Sequence, residues 1–264
     1  MKLGFIGCGN MASAIMGGII SNGLLQADEI IGADVFAPSK EKAKEALDIQ
    51  IAESNVEVVE KAEAFVLSVK PQYYAEVIRE IKDYVKENQI VITIAPGKTL
   101  KWLEEQFGKP VKIVRTMPNT PAMVQEGMTA ACPNKYVTAE ELDYVCSILK
   151  GFGDVEVVPE KLIDAVVAVS GSSPAYVFMM IEAMADAAVA EGMPRNQAYK
   201  FAAKAVMGSA KMVLETGKHP GELKDMVCSP GGTTIEAVKV LEETGFKGSI
   251  MQAMEVCAEK SRSL

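Results

Sequence analysis

Short unbroken runs of apolar or β-branched residues alternate with longer, charge-bearing segments over the first part of the chain. KLGFI (2–6), EIIGADVF (29–36), AFVLSV (64–69), IVITIA (90–95) and VKIVRT (111–116) read as buried strands of a parallel sheet. Between them SKEKAKEAL and QYYAEVIREIKDYVKEN predict crossover helices. The second of these carries Tyr74, Val77, Ile78, Ile81 and Val85 on one helical face. MTAAC (128–132) and DVEVV (154–158) extend the sheet, with the helical AEELDYVCSILKGF between them. The alternation predicts an α/β domain whose sheet is covered on both faces.

From about Pro159 the pattern changes to long Ala- and Met-rich helical segments, which marks a domain boundary. A helix over 174–191 follows Ser173 and Pro174, and a second runs from Arg195 to Glu215 and stops near Gly217. TTIEAVKVLEET, with Gly245 behind it, and IMQAMEVCAEKSRSL complete an all-helical second part. AYVFMMIEAMADAAVA is apolar nearly all round. Either a second subunit covers it, or it is central in a bundle of its own chain.

At 264 residues and 49% hydrophobic, the chain can bury a substantial core. A formal charge of -8 and the lack of a basic stripe give no reason to expect nucleic acid as a partner. The five cysteines form no CxxC pair and His219 is the one histidine, so no metal site is expected and reduced, cytoplasmic thiols are. The uncharged stretch from Leu3 to Ala27 has the look of a signal peptide. Its glycines at 4, 7, 9, 17, 18 and 23 interrupt it too often for a spanning helix, and no membrane association is expected.

A strand, turn and helix explain those interruptions better. Gly7, Gly9 and Ala12 form G-x-G-x-x-A directly after the first strand and at the opening of a helix. The first glycine permits the tight turn, the second lets a pyrophosphate approach the backbone, and a small third residue lets helix and strand pack closely. The end of the second strand bears on the choice of cofactor. If it stops at Ala33, Asp34 lies where a carboxylate takes ribose hydroxyls and favours NADH. If it runs to Phe36, the loop APSK offers Ser39 and Lys40 to a 2′-phosphate, with Asn55 near the adenosine. NADPH is the expected cofactor and NADH the alternative. Lys70, Pro96, Asn119 and Thr120 stand at other strand ends, where ligands of open α/β sheets collect.

CSPGGTTIEA (228–237) is the other concentration of small residues. Gly231 and Gly232 can adopt backbone angles closed to other residues, and Thr233 and Thr234 open a helix whose free N–H groups suit a carboxylate. An ordinary threonine-capped helix has the same pattern, but two threonines with Ser229 before them favour a site. No His/Asp or Lys arrangement supplies a general acid. A carbonyl needs a proton donor on reduction, whereas a protonated imine accepts hydride and leaves a neutral amine. A cyclic imino acid held by its carboxylate, with Thr234 near its nitrogen, fits these residues.

FIGCGNMA, SVKPQ, RTMPNTPA, DAVVAVSGSSPAY and HPGELKDMVCSPGGTTIEAV occur in order, and through them the whole chain resembles the Δ1-pyrroline-5-carboxylate reductases. The resemblance implies a Rossmann domain (1–159), then an all-α dimerisation and substrate domain (160–264). It also implies reduction of pyrroline-5-carboxylate to L-proline with NADPH, and a homodimer, often in a decamer of five dimers. By position it puts Ile6, Gly7, Cys8, Gly9, Asn10, Met11, Ser39, Asn55, Val69 and Lys70 on the cofactor side. Ala12, Pro96 and Asn119 join them from the motif reading. Thr233, Thr234, Ser229, Gly231, Gly232 and Glu160 fall on the substrate side, with Thr234 as hydrogen-bond partner or proton donor. Met226 replaces a polar residue of some members, and His219 reads as a local structural residue. A β-hydroxyacid dehydrogenase using Lys200, Lys204 or Lys211 is the rival enzyme, and a non-catalytic nucleotide-binding protein the rival of another class.

Overall fold

The computed structural model describes residues 2–263. Its contacts divide the chain into two compact units, Met1–Ser172 with Cys257–Leu264, and Ser173–Val256.

The first unit is built on eight strands: β1 (Leu3–Ile6), β2 (Ile30–Ala33), β3 (Gln50–Ile51), β4 (Ala64–Leu67), β5 (Ile90–Thr93), β6 (Lys112–Met117), β7 (Gly127–Pro133) and β8 (Gly153–Val157). They lie in the order β3-β2-β1-β4-β5-β6-β7-β8. β1 to β6 are parallel, β7 is antiparallel to β6, and β8 is parallel to β7. The first six follow the doubly wound order whose direction reverses between β1 and β4, where such sheets bind ligands at their carboxyl ends. One register row, Ala33, Ile6, Leu67, Thr93 and Arg115, crosses the sheet there.

Every residue of β1, β2, β4 and β5 is buried, which is why their sequences run apolar without alternation. Helices α1 (Asn10–Ser21), α2 (Ala37–Leu47), α3 (Asn55–Lys61), α4 (Tyr74–Ile81), α5 (Leu100–Phe107) and α6 (Ala139–Leu149) cover the sheet. Ile15, Met16, Ile19 and Ile148 join Phe5 in one core cluster, while Ile78, Ile81, Leu103 and Phe107 join Phe65 in another. Tyr74, Val77, Ile78 and Ile81 form the buried face of α4, on the period that the sequence predicts.

The second strand stops at Ala33 rather than reaching Phe36, because Asp34 turns the chain by accepting the Phe36 N–H at 2.8 Å. The fourth and fifth likewise end at Leu67 and Thr93, two residues before their apolar runs do. β3 is two residues long and leaves no pattern to read.

After β8 the chain forms a 3-10 turn (Glu160–Leu162), α7 (Ile163–Val166) and one π turn (Val167–Gly171), in which Ser172 N donates to Val167 O at 2.8 Å. The second unit holds α8 (Ser173–Ala190), α9 (Arg195–Thr216), α10 (Pro220–Met226), α11 (Thr233–Glu243) and most of α12 (Phe246–Arg262). The end of α12 belongs to the first unit, where the Ser261 hydroxyl meets Asp164 at 2.6 Å and Cys257 packs on the cluster of Ala130, Cys132, Ile163 and Val167. Gly217, at φ 63, ends α9 in the left-handed conformation that glycine tolerates best.

Among the described residues, the hydrophobic side chains buried in the second unit are Ala185, Ala198 and Ala202. Phe178 is 64% exposed and Met179 68%. α8 is therefore not the centre of a bundle made by its own chain. The continuous stretch Glu160–Ala190 is also long and apolar enough, by length and composition, to cross a bilayer.

Candidate active site

The glycine-rich turn sits at the reversal of strand order. Gly7 has φ +102, and a Cβ there would lie 2.9 Å from the backbone C and O of Ser68. Only glycine fits that turn beside that neighbour. Gly9 differs. It caps α1 at φ -70, ψ -175, and a Cβ on it would meet nothing within 4 Å. The absence of a side chain thus leaves an open approach to the start of α1, with exposed Asn10 and half-buried Met11 beside it. Unpaired N–H groups and the helix dipole favour an anion at such a helix start. Ile6 and Ala12 are buried and serve packing.

Cys8 is buried between these glycines, and burial followed by the Asp34 charge pushes its thiol up to about 12. The thiolate is the reactive form. Cys8 is therefore expected to stay unalkylated by iodoacetamide at neutral pH in the folded protein and to react after denaturation. Peptide mass mapping with and without denaturant checks this; equal labelling in both would contradict the buried turn.

The loops beyond β2, β4, β5 and β6 gather on the same sheet edge, since these strands are parallel. Ser39 lies in the first turn of α2, its N–H bonded to Phe36 O at 3.0 Å, and Lys40 follows it half-buried. Neither caps the helix; Phe36 occupies that position. Asn55 opens α3, and its amide donates to Glu80 at 2.8 Å. Val69 packs against the core while Lys70 is exposed, and Pro96 lies half-buried in the loop after β5. Asn119 is 7% exposed. Its side chain donates to Ser170 O at 3.1 Å and accepts from Met128 N at 2.9 Å, joining the loop after β6 to the π turn. Thr120 begins the 3-10 turn that follows.

In the second unit, Ser229 to Gly232 form a tight turn. Gly232 N donates to Ser229 O at 3.0 Å, with Pro230 and Gly231 (φ +65) in the middle, as a type II turn requires. A Cβ on Gly232 would come within 2.4 Å of Ser229 Oγ. Glycine there lets the serine fold back over the turn. α11 begins directly after it with Thr233 and Thr234 and has no side-chain cap, so its first N–H groups remain open to a ligand. Thr234 is half-buried and Thr233 exposed.

His219 accepts the Gly221 N–H on Nδ1 at 3.0 Å and caps α10. That cap fulfils the structural role expected of it. Glu160 lies in the first unit, where Oε1 accepts from Arg115 Nη1 and from Leu100 N, both at 2.7 Å. Arg115 is 4% exposed, so the carboxylate balances a buried charge. Among the described residues, no group of three or more His, Cys, Asp or Glu side chains is placed to hold a metal ion.

Against known proteins, residues 160–264 match the family described as pyrroline-5-carboxylate reductase dimerisation, and residues 2–97 match the coenzyme F420-dependent NADP oxidoreductases. The chain is 55% identical to a pyrroline-5-carboxylate reductase of Escherichia coli K12, over 100% of this chain and 98% of that one. The chain belongs to the pyrroline-5-carboxylate reductase family.

Solved structures of family members agree with that placement. The reductase of Coxiella burnetii superposes with a TM-score of 0.92 at 34% identity, covering 99% of this chain and 97% of that one. The reductase of Plasmodium falciparum, solved with NADP bound, gives 0.90 at 33% identity, covering 100% and 97%. The fold is the Rossmann-like domain followed by the helical dimerisation domain that the motifs imply. Of the rival lysines, Lys200 and Lys204 flank Phe201 and Met207 on an apolar surface of α9, and Lys211 pairs with Glu215 at 3.4 Å.

Sequence reading overlooked Ser68 and Arg115. The Ser68 hydroxyl lies 2.6 Å from Gly7 O, a contact between residues 61 positions apart that no local pattern signals. Arg115 stood within the strand run VKIVRT, and a charged residue in an otherwise buried strand was the available clue.

Proposed function

We propose that the chain reduces Δ1-pyrroline-5-carboxylate to L-proline with NADPH as preferred hydride donor, the last step of proline synthesis. The observation that carries this reading is the pairing, in one family member, of an open glycine turn at the strand-order reversal with an uncapped, glycine-preceded threonine helix. The cofactor supplies the hydride when bound. Gly7 and Gly9 shape the turn that receives its pyrophosphate, and the N–H groups opening α1 face the negative charge. Ser39 and Lys40 are assigned to the 2′-phosphate end, and Asn55, Val69, Lys70, Pro96 and Asn119 to the rest of the cofactor edge.

On the substrate side, the turn Ser229 to Gly232 and the N–H of Thr233 are assigned to the carboxylate. Holding that group fixes the ring, and the cationic imine carbon can then take hydride without a strong acid beside it. The Thr234 hydroxyl is assigned to the ring nitrogen, where it donates to the nitrogen as its positive charge disappears. Glu160 keeps its assignment to the substrate side by family position, with its carboxylate held by Arg115 and the Leu100 N–H.

The family's dimerisation segment, 160–264, contains the exposed apolar faces of α8 and α9, and a partner chain is assigned to cover them. Glu160–Ala190 then packs in protein rather than lipid, in a homodimer that assembles further into a decamer. Five free cysteines suit a cytoplasmic protein.

The test is NADPH oxidation followed spectrophotometrically with pyrroline-5-carboxylate, beside NADH and a six-membered imino acid, with proline identified as product. Turnover is expected with the five-membered ring and a higher kcat/KM for NADPH than for NADH. A folded protein that oxidises NADPH with a hydroxy-acid precursor and leaves pyrroline-5-carboxylate untouched would move the assignment to the lysines of α9.

A further inference from the structure

The Gly7–Cys8 peptide is held at both of its polar ends by side chains from the two neighbouring strand ends. Its carbonyl, Gly7 O, accepts the Ser68 hydroxyl at 2.6 Å, and its N–H donates to Asp34 Oδ2 at 2.7 Å. Ser68 follows β4 and Asp34 follows β2, on either side of β1. Asp34 is itself fixed, because Oδ1 accepts the Phe36 N–H at 2.8 Å. Ser68 is fixed too, since its N–H reaches Ile6 O at 2.9 Å and its hydroxyl lies 3.1 Å from the same oxygen.

Gly7, at φ +102, has no Cβ to restrict its side of that peptide, so rotation is opposed on one side only by Cys8 and otherwise by these hydrogen bonds. Rotation would break the bonds to Ser68 and Asp34, and a carbonyl exposed at the start of α1 would repel the anion that N–H groups attract. We infer that Ser68 and Asp34 are positioning residues that lock the Gly7–Cys8 peptide with its carbonyl away from the pyrophosphate site. Asp34 stands at the strand end where a carboxylate can instead read ribose hydroxyls, yet both its oxygens are engaged by backbone N–H groups. Those two bonds assign it to the loop, and a ribose hydroxyl on a remaining lone pair would be an additional contact.

The inference rests on the cofactor reading above, and the two can fail separately. NADPH and NADH are titrated against the full chain by the fluorescence of the reduced nicotinamide, and KM and kcat are measured with pyrroline-5-carboxylate. Ser68→Ala changes no charge and is expected to weaken both dinucleotides about fivefold, as loss of one neutral hydrogen bond does. Ser68→Thr should recover most of that loss. Asp34→Ala is expected to weaken both about tenfold, the greater loss reflecting a charged acceptor, with Asp34→Asn intermediate because one oxygen remains. KM for the dinucleotide should rise in each case while kcat at saturation falls less than the KM rises.

Loss of NADH affinity alone in Asp34→Ala would make the residue a ribose ligand and overturn the lock. Unchanged affinities in folded Ser68→Ala and Asp34→Asn, with melting curves like that of the parent, would also overturn it. A parent chain that binds neither dinucleotide would overturn the cofactor reading itself, and the lock with it.

Discussion

Gly7→Ala is expected to weaken NADPH binding roughly a hundredfold, or about 3 kcal/mol, because the turn that receives the pyrophosphate must shift to admit the new side chain. Two effects act together. Alanine at φ +102 costs on the order of 1–3 kcal/mol in backbone strain. Its Cβ would also stand 2.9 Å from the backbone of Ser68, which is anchored to β1 and cannot yield as a flexible side chain does. The melting temperature should fall by about 5–10 °C, at roughly 2–4 °C per kcal/mol for a chain of this size. Gly9→Ala is the control. Its backbone angles are open to any residue and its Cβ meets nothing within 4 Å, so stability should be unchanged while NADPH binding still falls. Fluorescence titration and thermal melting of both variants separate a fold effect from a site effect. Normal NADPH affinity in Gly9→Ala would remove the turn from the cofactor site.

Thr234→Ala should lower kcat about thirtyfold, or about 2 kcal/mol of transition-state stabilisation, with NADPH affinity within twofold of the parent. The hydroxyl is asked to donate one hydrogen bond to a nitrogen whose charge is changing, which is less than a full general acid contributes. Alanine suits a helix better than threonine, so α11 should not be weakened by the change. Thr234→Ser should keep most of the rate, because the hydroxyl stays. Steady-state kinetics with pyrroline-5-carboxylate, joined to NADPH titration, give both quantities. An unaltered kcat in Thr234→Ala would sink the assignment to the ring nitrogen.

The residues of these two predictions were visible in sequence because each belongs to a local pattern. G-x-G-x-x-A reports a backbone shape made by neighbouring residues, and SPGGTT reports a type II turn running into a helix. What surrounds them was not visible in the same way. Asp34 meets Cys8 across 26 positions and Ser68 meets Gly7 across 61, and the sequence left Asp34 between a ribose ligand and a strand residue. Glu160 read as a charge beside the substrate, and its bond to the buried Arg115, 45 positions away, became evident only in three dimensions. Asn119 read as a polar residue at a strand end, and folding turned its amide toward Ser170 and Met128.

By itself, the sequence determined the alternation of strands and helices, the change to an all-helical second part and the two glycine-bearing loops, because periodicity and turn chemistry are properties of adjacent residues. Tertiary structure decided which partners the polar side chains at the sheet edge meet, and that Phe178 and Met179 of α8 stay exposed rather than covered by the second unit. Those outcomes depend on partners brought together by the packing of the sheet, and no neighbouring residue encodes them.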